Sequence, residues 1–294
     1  MWTLLLGCTP DLPPDQDELT QVVRPYVDPD RPTPAVGDWA SSPERALDTW
    51  VWVGPAAGED APHRPLLLML HGMGGHPEKF ERFARALAEA GVVVAAPVFP
   101  VSNAHADGGL GSVDDLLGQV GDASFVLDQL TRDVADRASP LWMRFDPQQV
   151  VALGHSMGGA TLLGRTRYDT EPRVGGQVYV CAATILEPVL ASNLGEPLEP
   201  SGPLTLVVTG SEDEVVPPAY GEDLFAAIDE PKGYLGITGA DHSNALESQQ
   251  DPPIPEQQAL IDAVTAAVAA AVGDDSGALD RVEADLAALG HDVR

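Results

Sequence analysis

Positive charge is scarce in this sequence: Lys79 and Lys232 are the only lysines, and Lys and Arg together number 16 against 45 Asp and Glu. The formal charge of −29 repels polyanions, which excludes nucleic acid and anionic membrane surfaces as natural partners. Cysteine is nearly missing as well. With only Cys8 and Cys181, no disulfide can form within the body of the chain. Nor does any segment approach the ~18 consecutive apolar residues of a membrane-spanning helix, so the body is expected to be soluble. What remains is a chain of 294 residues, 44% hydrophobic, long enough to bury a sizeable core in one domain.

The N-terminus stands apart. Cys8 follows Leu4, Leu5, Leu6 and Gly7, an order that resembles a bacterial lipoprotein cleavage box, in which the cysteine becomes the lipidated first residue. No positively charged segment precedes it, and the apolar stretch is shorter than a signal core. The reading is an exported chain, extracellular or held at the bacterial cell surface through Cys8; without that role for the segment, the chain is cytoplasmic. Residues 9–19, rich in Pro and Asp, read as a solvated tether. Asp11, Asp15, Asp17 and Glu18 there fit no EF-hand spacing. The division expected is therefore residues 1–19 as segment and tether, and 20–294 as one domain.

Beyond the tether, short apolar runs alternate with amphipathic stretches. Residues 22–27 and 48–53 read as strands, the second alternating through Trp50 and Trp52, with proline-rich loop between them. The wholly apolar 66–70 reads as a strand buried on both faces. A helix follows with Phe80, Phe83, Ala84 and Leu87 on one face and Gly91 closing it. Further strands are predicted at 92–96, 150–153, 177–183, 204–209 and 233–238, and helices at 119–137, 218–228 and 256–272. Such alternation predicts an α/β domain whose mainly parallel central sheet is covered by helices on both faces. Ligands on these sheets bind at the carboxyl ends of the strands, so chemistry is sought there.

Three strand ends carry it. Gly154-His155-Ser156-Met157-Gly158 follows the 150–153 strand and precedes helix-compatible 160–163, as a nucleophile elbow requires. His71-Gly72-Met73-Gly74-Gly75 follows the 66–70 strand. Acyl transfer builds negative charge on a carbonyl oxygen, and each backbone N–H aimed at it is worth ~100–1000-fold in rate. The amides of Met73 and Met157 are the candidate donors, with His71 hydrogen-bonding the loop. Asp213, after the 204–209 strand, and His242, after the 233–238 strand, complete the order serine, acid, histidine. Glu212, Glu214 and Glu187 are alternative acids. His63, His76, His105, His155 and His291 are read as loop or surface residues. No cofactor or metal site is expected.

On these motifs, with Val98-Phe99-Pro100 and Arg31-Pro32-Thr33-Pro34, residues 20–272 resemble the α/β-hydrolase superfamily. The resemblance extends to its bacterial esterases akin to platelet-activating-factor acetylhydrolases, chlorophyllases and polyester hydrolases. It implies an α/β-hydrolase fold and carboxylic-ester hydrolysis through an acyl-enzyme, on small-molecule or polymeric esters. The same triad serves acyltransferases and thioesterases, while a non-catalytic surface protein on this scaffold would not need it. Polyester hydrolases of the cutinase type carry an aromatic residue where Met73 stands and a C-terminal disulfide that this chain lacks. The segment 185–203, punctuated by prolines, is too short for a large cap domain, so an open cleft is expected.

Overall fold

The computed structural model describes residues 18–35, 40–55, 63–106, 113–168, 171–196, 203–229, 231–273, 275 and 277–294. Cys8, most of the tether, and Asp11, Asp15 and Asp17 lie outside the described residues. In chain order the elements are β1 (Thr20–Asp28), β2 (Arg45–Val53), β3 (Leu66–Leu70), α1 (Glu81–Glu89), β4 (Val93–Pro97), α2 (Leu116–Ala135), β5 (Val150–His155) and α3 (Met157–Leu163). There follow β6 (Val174–Val180), α4 (Glu187–Leu194), β7 (Leu204–Gly210), α5 (Pro218–Ala227), β8 (Lys232–Ile237), α6 (Asn244–Glu247), α7 (Pro255–Ala271), α8 (Ala278–Ala288) and β9 (Asp292–Val293). No helix among the described residues is long and apolar enough to cross a membrane.

The strands form one sheet in the order β1-β2-β4-β3-β5-β6-β7-β8-β9. From β4 to β8 every pairing is parallel; β1, β2 and β9 add antiparallel edges. Period-two alternation sorts side chains between two layers. Leu67 and Met69 of β3 pack with Phe83, Leu87, Leu260 and Val264 of α1 and α7. Leu66, Leu68 and Leu70 pack on the other face with Val126, Leu130 and Leu162 of α2 and α3. Both faces being buried, the central strands are apolar throughout, as the run 66–70 foretells.

Polar contacts also cross from sheet to helix, the most buried of them around Arg45. Arg45, at the start of β2 and buried, donates through Nε to Asp122 at 2.6 Å and through a terminal nitrogen to Asp115 at 2.5 Å. Arg31 donates to Asp28 at 2.6 Å and lies 2.9 Å from Asp122. The guanidinium of Arg45 thus neutralises two carboxylates beside α2 that burial would otherwise make costly.

The end of the sixth strand needs correction. The sixth strand ends at Val180 rather than 183, because Cys181 takes a left-handed backbone at φ 46° and leaves the sheet. The segment after it, read as too short for a large cap domain, contains the eight-residue α4. Pro188 falls in the first turn, where the missing N–H has no intrahelical acceptor to lose.

Candidate active site

Ser156 links β5 to α3 with φ 55° and ψ −121°. A side-chain-bearing residue in so sparsely populated a region costs of order 1–3 kcal/mol, and the surroundings must hold it there. Its N–H donates to the Val180 carbonyl at 3.1 Å, and its own carbonyl accepts from Gly159 and Ala183, both at 2.9 Å. Gly158 has no alternative at its position: a Cβ there would stand 2.0 Å from the Leu70 carbonyl oxygen. The turn is therefore clamped between β3 and β6, with the serine side chain at the carboxyl end of the sheet.

The 71–75 loop runs directly beside it. A Cβ on Gly72 would lie 2.7 Å from Ser156 Cβ and 3.2 Å from its Oγ. His71 hydrogen-bonds this loop: its Nδ1–H donates to the Gly72 carbonyl at 2.8 Å and its Nε2 accepts from the Phe99 N–H at 3.0 Å. Burial pushes the ring down to about 4, so it stays neutral and keeps that tautomer. The Gly74 N–H donates to the Ser102 carbonyl at 2.7 Å, and Lys79 Nζ donates to the Gly74 carbonyl at 2.8 Å. Among the described residues, neither the Met73 nor the Met157 N–H donates to a backbone carbonyl. Met157 follows Ser156 in sequence, and Met73 follows Gly72, the residue that packs against Ser156.

Asp213 and His242 come together from the ends of β7 and β8. His242 Nδ1–H donates to Asp213 Oδ2 at 2.8 Å, which leaves Nε2 as the free, basic nitrogen. Asp213 Oδ1 accepts from the Val215 and Val216 N–H groups at 2.9 and 2.8 Å. Burial raises the carboxyl, but the hydrogen bonds from His242 and Val216 outweigh it, and Asp213 stays below its ordinary range. The alternative acids are elsewhere. Glu212 and Glu214 are exposed, and Glu187 accepts from the Tyr168 hydroxyl at 2.8 Å and pairs with Arg167. No hydrogen bond joins the Ser156 hydroxyl to the His242 ring among the described residues. Nucleophile–base contacts are commonly long until substrate is bound.

Two residues beside this pair have contacts the sequence does not announce. His155, read as a loop or surface residue, is buried: its Nε2–H donates to the His242 carbonyl at 2.8 Å, and the two rings lie 4.9 Å apart. The elbow pattern leaves its position open, so only the fold reveals the bond. Burial, aided by the neighbouring His242, pushes it down to about 4. Cys181, read as a small core hydrophobe, is buried with its sulfur within 4.8 Å of donor atoms of both Asp213 and His242. Burial and the Asp213 charge raise the thiol well above its usual range, which keeps it protonated. His76 also departs from the surface reading; it is buried and caps the turn Pro77–Phe80.

A strained serine in a glycine-flanked turn, a glycine-rich loop beside it, and an Asp–His pair all converge at the carboxyl ends of β3, β5, β7 and β8. This arrangement suits acyl chemistry on a carbonyl carbon. A search of the curated proteins finds no match. The model of one family, described as the alpha/beta hydrolase family, matches residues 67–292, which take in β3, the elbow and both strands that bear Asp213 and His242. That match spans well over half of the chain and the same sheet order that carries the site: the chain belongs to the alpha/beta hydrolase family.

Proposed function

We propose that this hydrolase cleaves carboxylic esters, with Ser156 as nucleophile, His242 as general base and Asp213 as the acid that orients it. The observation that carries the reading is the Asp213–His242 pair at 2.8 Å, tied through the His242 carbonyl to His155, the residue next to the strained Ser156. In the first half-reaction Ser156 Oγ attacks the ester carbon and its proton passes to His242 Nε2. The oxyanion accepts from the Met73 and Met157 amides. Collapse expels the alcohol, which takes the proton from His242 and leaves an acyl-serine. Water, deprotonated by the same nitrogen, then releases the carboxylic acid and restores Ser156.

The surroundings favour apolar, neutral esters. Met73, Ile185 and Val215 are 48, 58 and 69% exposed, and each follows the carboxyl end of a strand: β3, β6 and β7. Large apolar side chains displayed at the same end of the sheet as the serine suit an acyl or alkyl group. This leaning agrees with the resemblance to bacterial esterases. Ser156→Ala is expected to abolish hydrolysis of nitrophenyl esters and labelling by a fluorophosphonate probe, with the fold unchanged by circular dichroism. Persistent labelling of that variant would place the nucleophile elsewhere. Repeating the assay with added alcohol separates hydrolysis from acyl transfer, since a transferase would form the new ester.

A further inference from the structure

We infer that His76, Glu78 and His105 form a binding site for a borderline divalent transition ion, of the zinc class rather than calcium or magnesium. Their donor atoms all lie within 4.8 Å of one another, close enough for one ion to bridge them after small side-chain adjustments. His105 Nε2 is 2.9 Å from one Glu78 oxygen, and His76 Nδ1 is 3.6 Å from the other. The two imidazole rings meet edge to face with centroids 4.6 Å apart. Two imidazoles and one carboxylate are a donor set that suits zinc, nickel or copper, whereas hard calcium and magnesium seek oxygens alone.

Half of this site is built before any ion arrives. The His76 side chain is only 9% exposed and stands edge-on against Trp50 at 5.5 Å. Its backbone precedes the turn Pro77–Phe80, which also fixes Glu78. The segment carrying His105 is tied to the same loop: Gly75 pairs with Asn103, the Ala104 N–H donates to the Gly75 carbonyl at 2.8 Å, and the His105 N–H donates to Asn103 Oδ1 at 2.8 Å. His105 itself, 62% exposed, leaves open space for solvent ligands. An ion would replace two contacts, the 2.9 Å hydrogen bond between His105 Nε2 and Glu78 and a weak one of 3.3 Å from the Glu78 N–H to His76 Nδ1. A chain charge of −29 draws cations from every side. Once bound, the ion would staple the 71–78 segment to 103–105, one residue beyond the loop that presents Met73. The site stands whether or not the chain cleaves esters.

Zinc titration of the full chain by calorimetry, with thermal unfolding alongside, tests this. Wild type is expected to take up one Zn2+ tightly and unfold at higher temperature, with no comparable effect of Ca2+ or Mg2+. His105→Ala and Glu78→Gln alter exposed side chains and should fold normally, yet each should weaken zinc binding by about tenfold or more and lose the thermal shift. His242→Ala should keep both, which separates this site from the Cys181, Asp213 and His242 cluster. Undiminished binding in His105→Ala and Glu78→Gln, loss of binding in His242→Ala, equal binding of Ca2+, or no zinc binding by wild type would each overturn the assignment.

Discussion

His155 occupies the position of the elbow that the glycine pattern leaves free, and it grips the backbone of His242 through a bond of 2.8 Å. His155→Phe would leave the half-buried His242 carbonyl without its donor, a loss of ~1–3 kcal/mol in ordinary cases. On the proposed mechanism that loss falls on kcat, roughly tenfold or more, with KM little changed; His155→Gln keeps a donor and should recover most of the rate. Nitrophenyl-ester kinetics on both variants decide the matter, since a merely structural role would reduce active-site titre and leave kcat per active site alone. The acid is tested the same way. Asp213→Asn leaves His242 in the wrong tautomer and should lower kcat by ~10⁴, while Glu187→Gln, engaged with Tyr168 and Arg167, should stay near wild type. The reverse ranking would move the acid to the end of β6. Ser156, Asp213 and His242 could be placed from the sequence because each follows an apolar run and a glycine-bearing turn. The contacts of His155 and Cys181 could not, because they depend on which strand ends are neighbours in space.

At the scale of elements, the tie between β2 and α2 is the most exposed to substitution. Arg45→Met fills the space but strips Asp115 and Asp122 of their buried counter-ion, a change expected to destabilise the fold by about 3–5 kcal/mol. Urea unfolding measures it, and adding Asp115→Asn and Asp122→Asn to Arg45→Met should restore much of the loss. If Arg45→Met alone unfolds like wild type, the network contributes nothing. Strands β3, β4, β5, β7 and β8 stand within a residue or so of where their apolar runs put them, since burial on both faces leaves little room for polar residues. What the pattern missed has physical causes. β6 begins three residues early because Gly175, at a shift in the register, and Gly176, which pairs with Val151, give no hydrophobic signal. α8 is rich in Asp and Glu and buries only Ala278, Leu279 and Leu286, and β9 is two residues long.

For the molecule as a whole, His71 and His155 contribute the largest histidine shifts to the response to mild acid. Both rings are buried and pushed from 6.5 down to about 4. Between those values the unfolded chain binds protons that the folded chain refuses, so stability is complete above about pH 6.5 and falls as pH drops toward 4. Two such groups give a slope of up to about 3 kcal/mol per pH unit in the middle of that window. Carboxylates held low, such as Asp213 and Asp28, add their own losses only at lower pH. Most Asp and Glu remain ionised above pH 5, so the self-repulsion of −29 changes little over the upper part of the window. Urea midpoints at pH 7 and pH 5 should differ clearly in wild type and less in His155→Gln. Equal midpoints would mean that the rings are not held neutral.

The order of strands across the sheet has a consequence in time. Loop 71–75 and the elbow are synthesised early, but the strand ends bearing Asp213 and His242 lie on β7 and β8, which add to the sheet one after the other beyond β6. A chain still emerging from the ribosome can hold its serine turn and yet have no base. On the proposed reading such a chain is inert toward the esters around it, and its hydrolytic power arrives at once when β8 docks. In refolding experiments the return of activity would therefore require the seating of that strand, and could come no earlier than a probe that reports on β8.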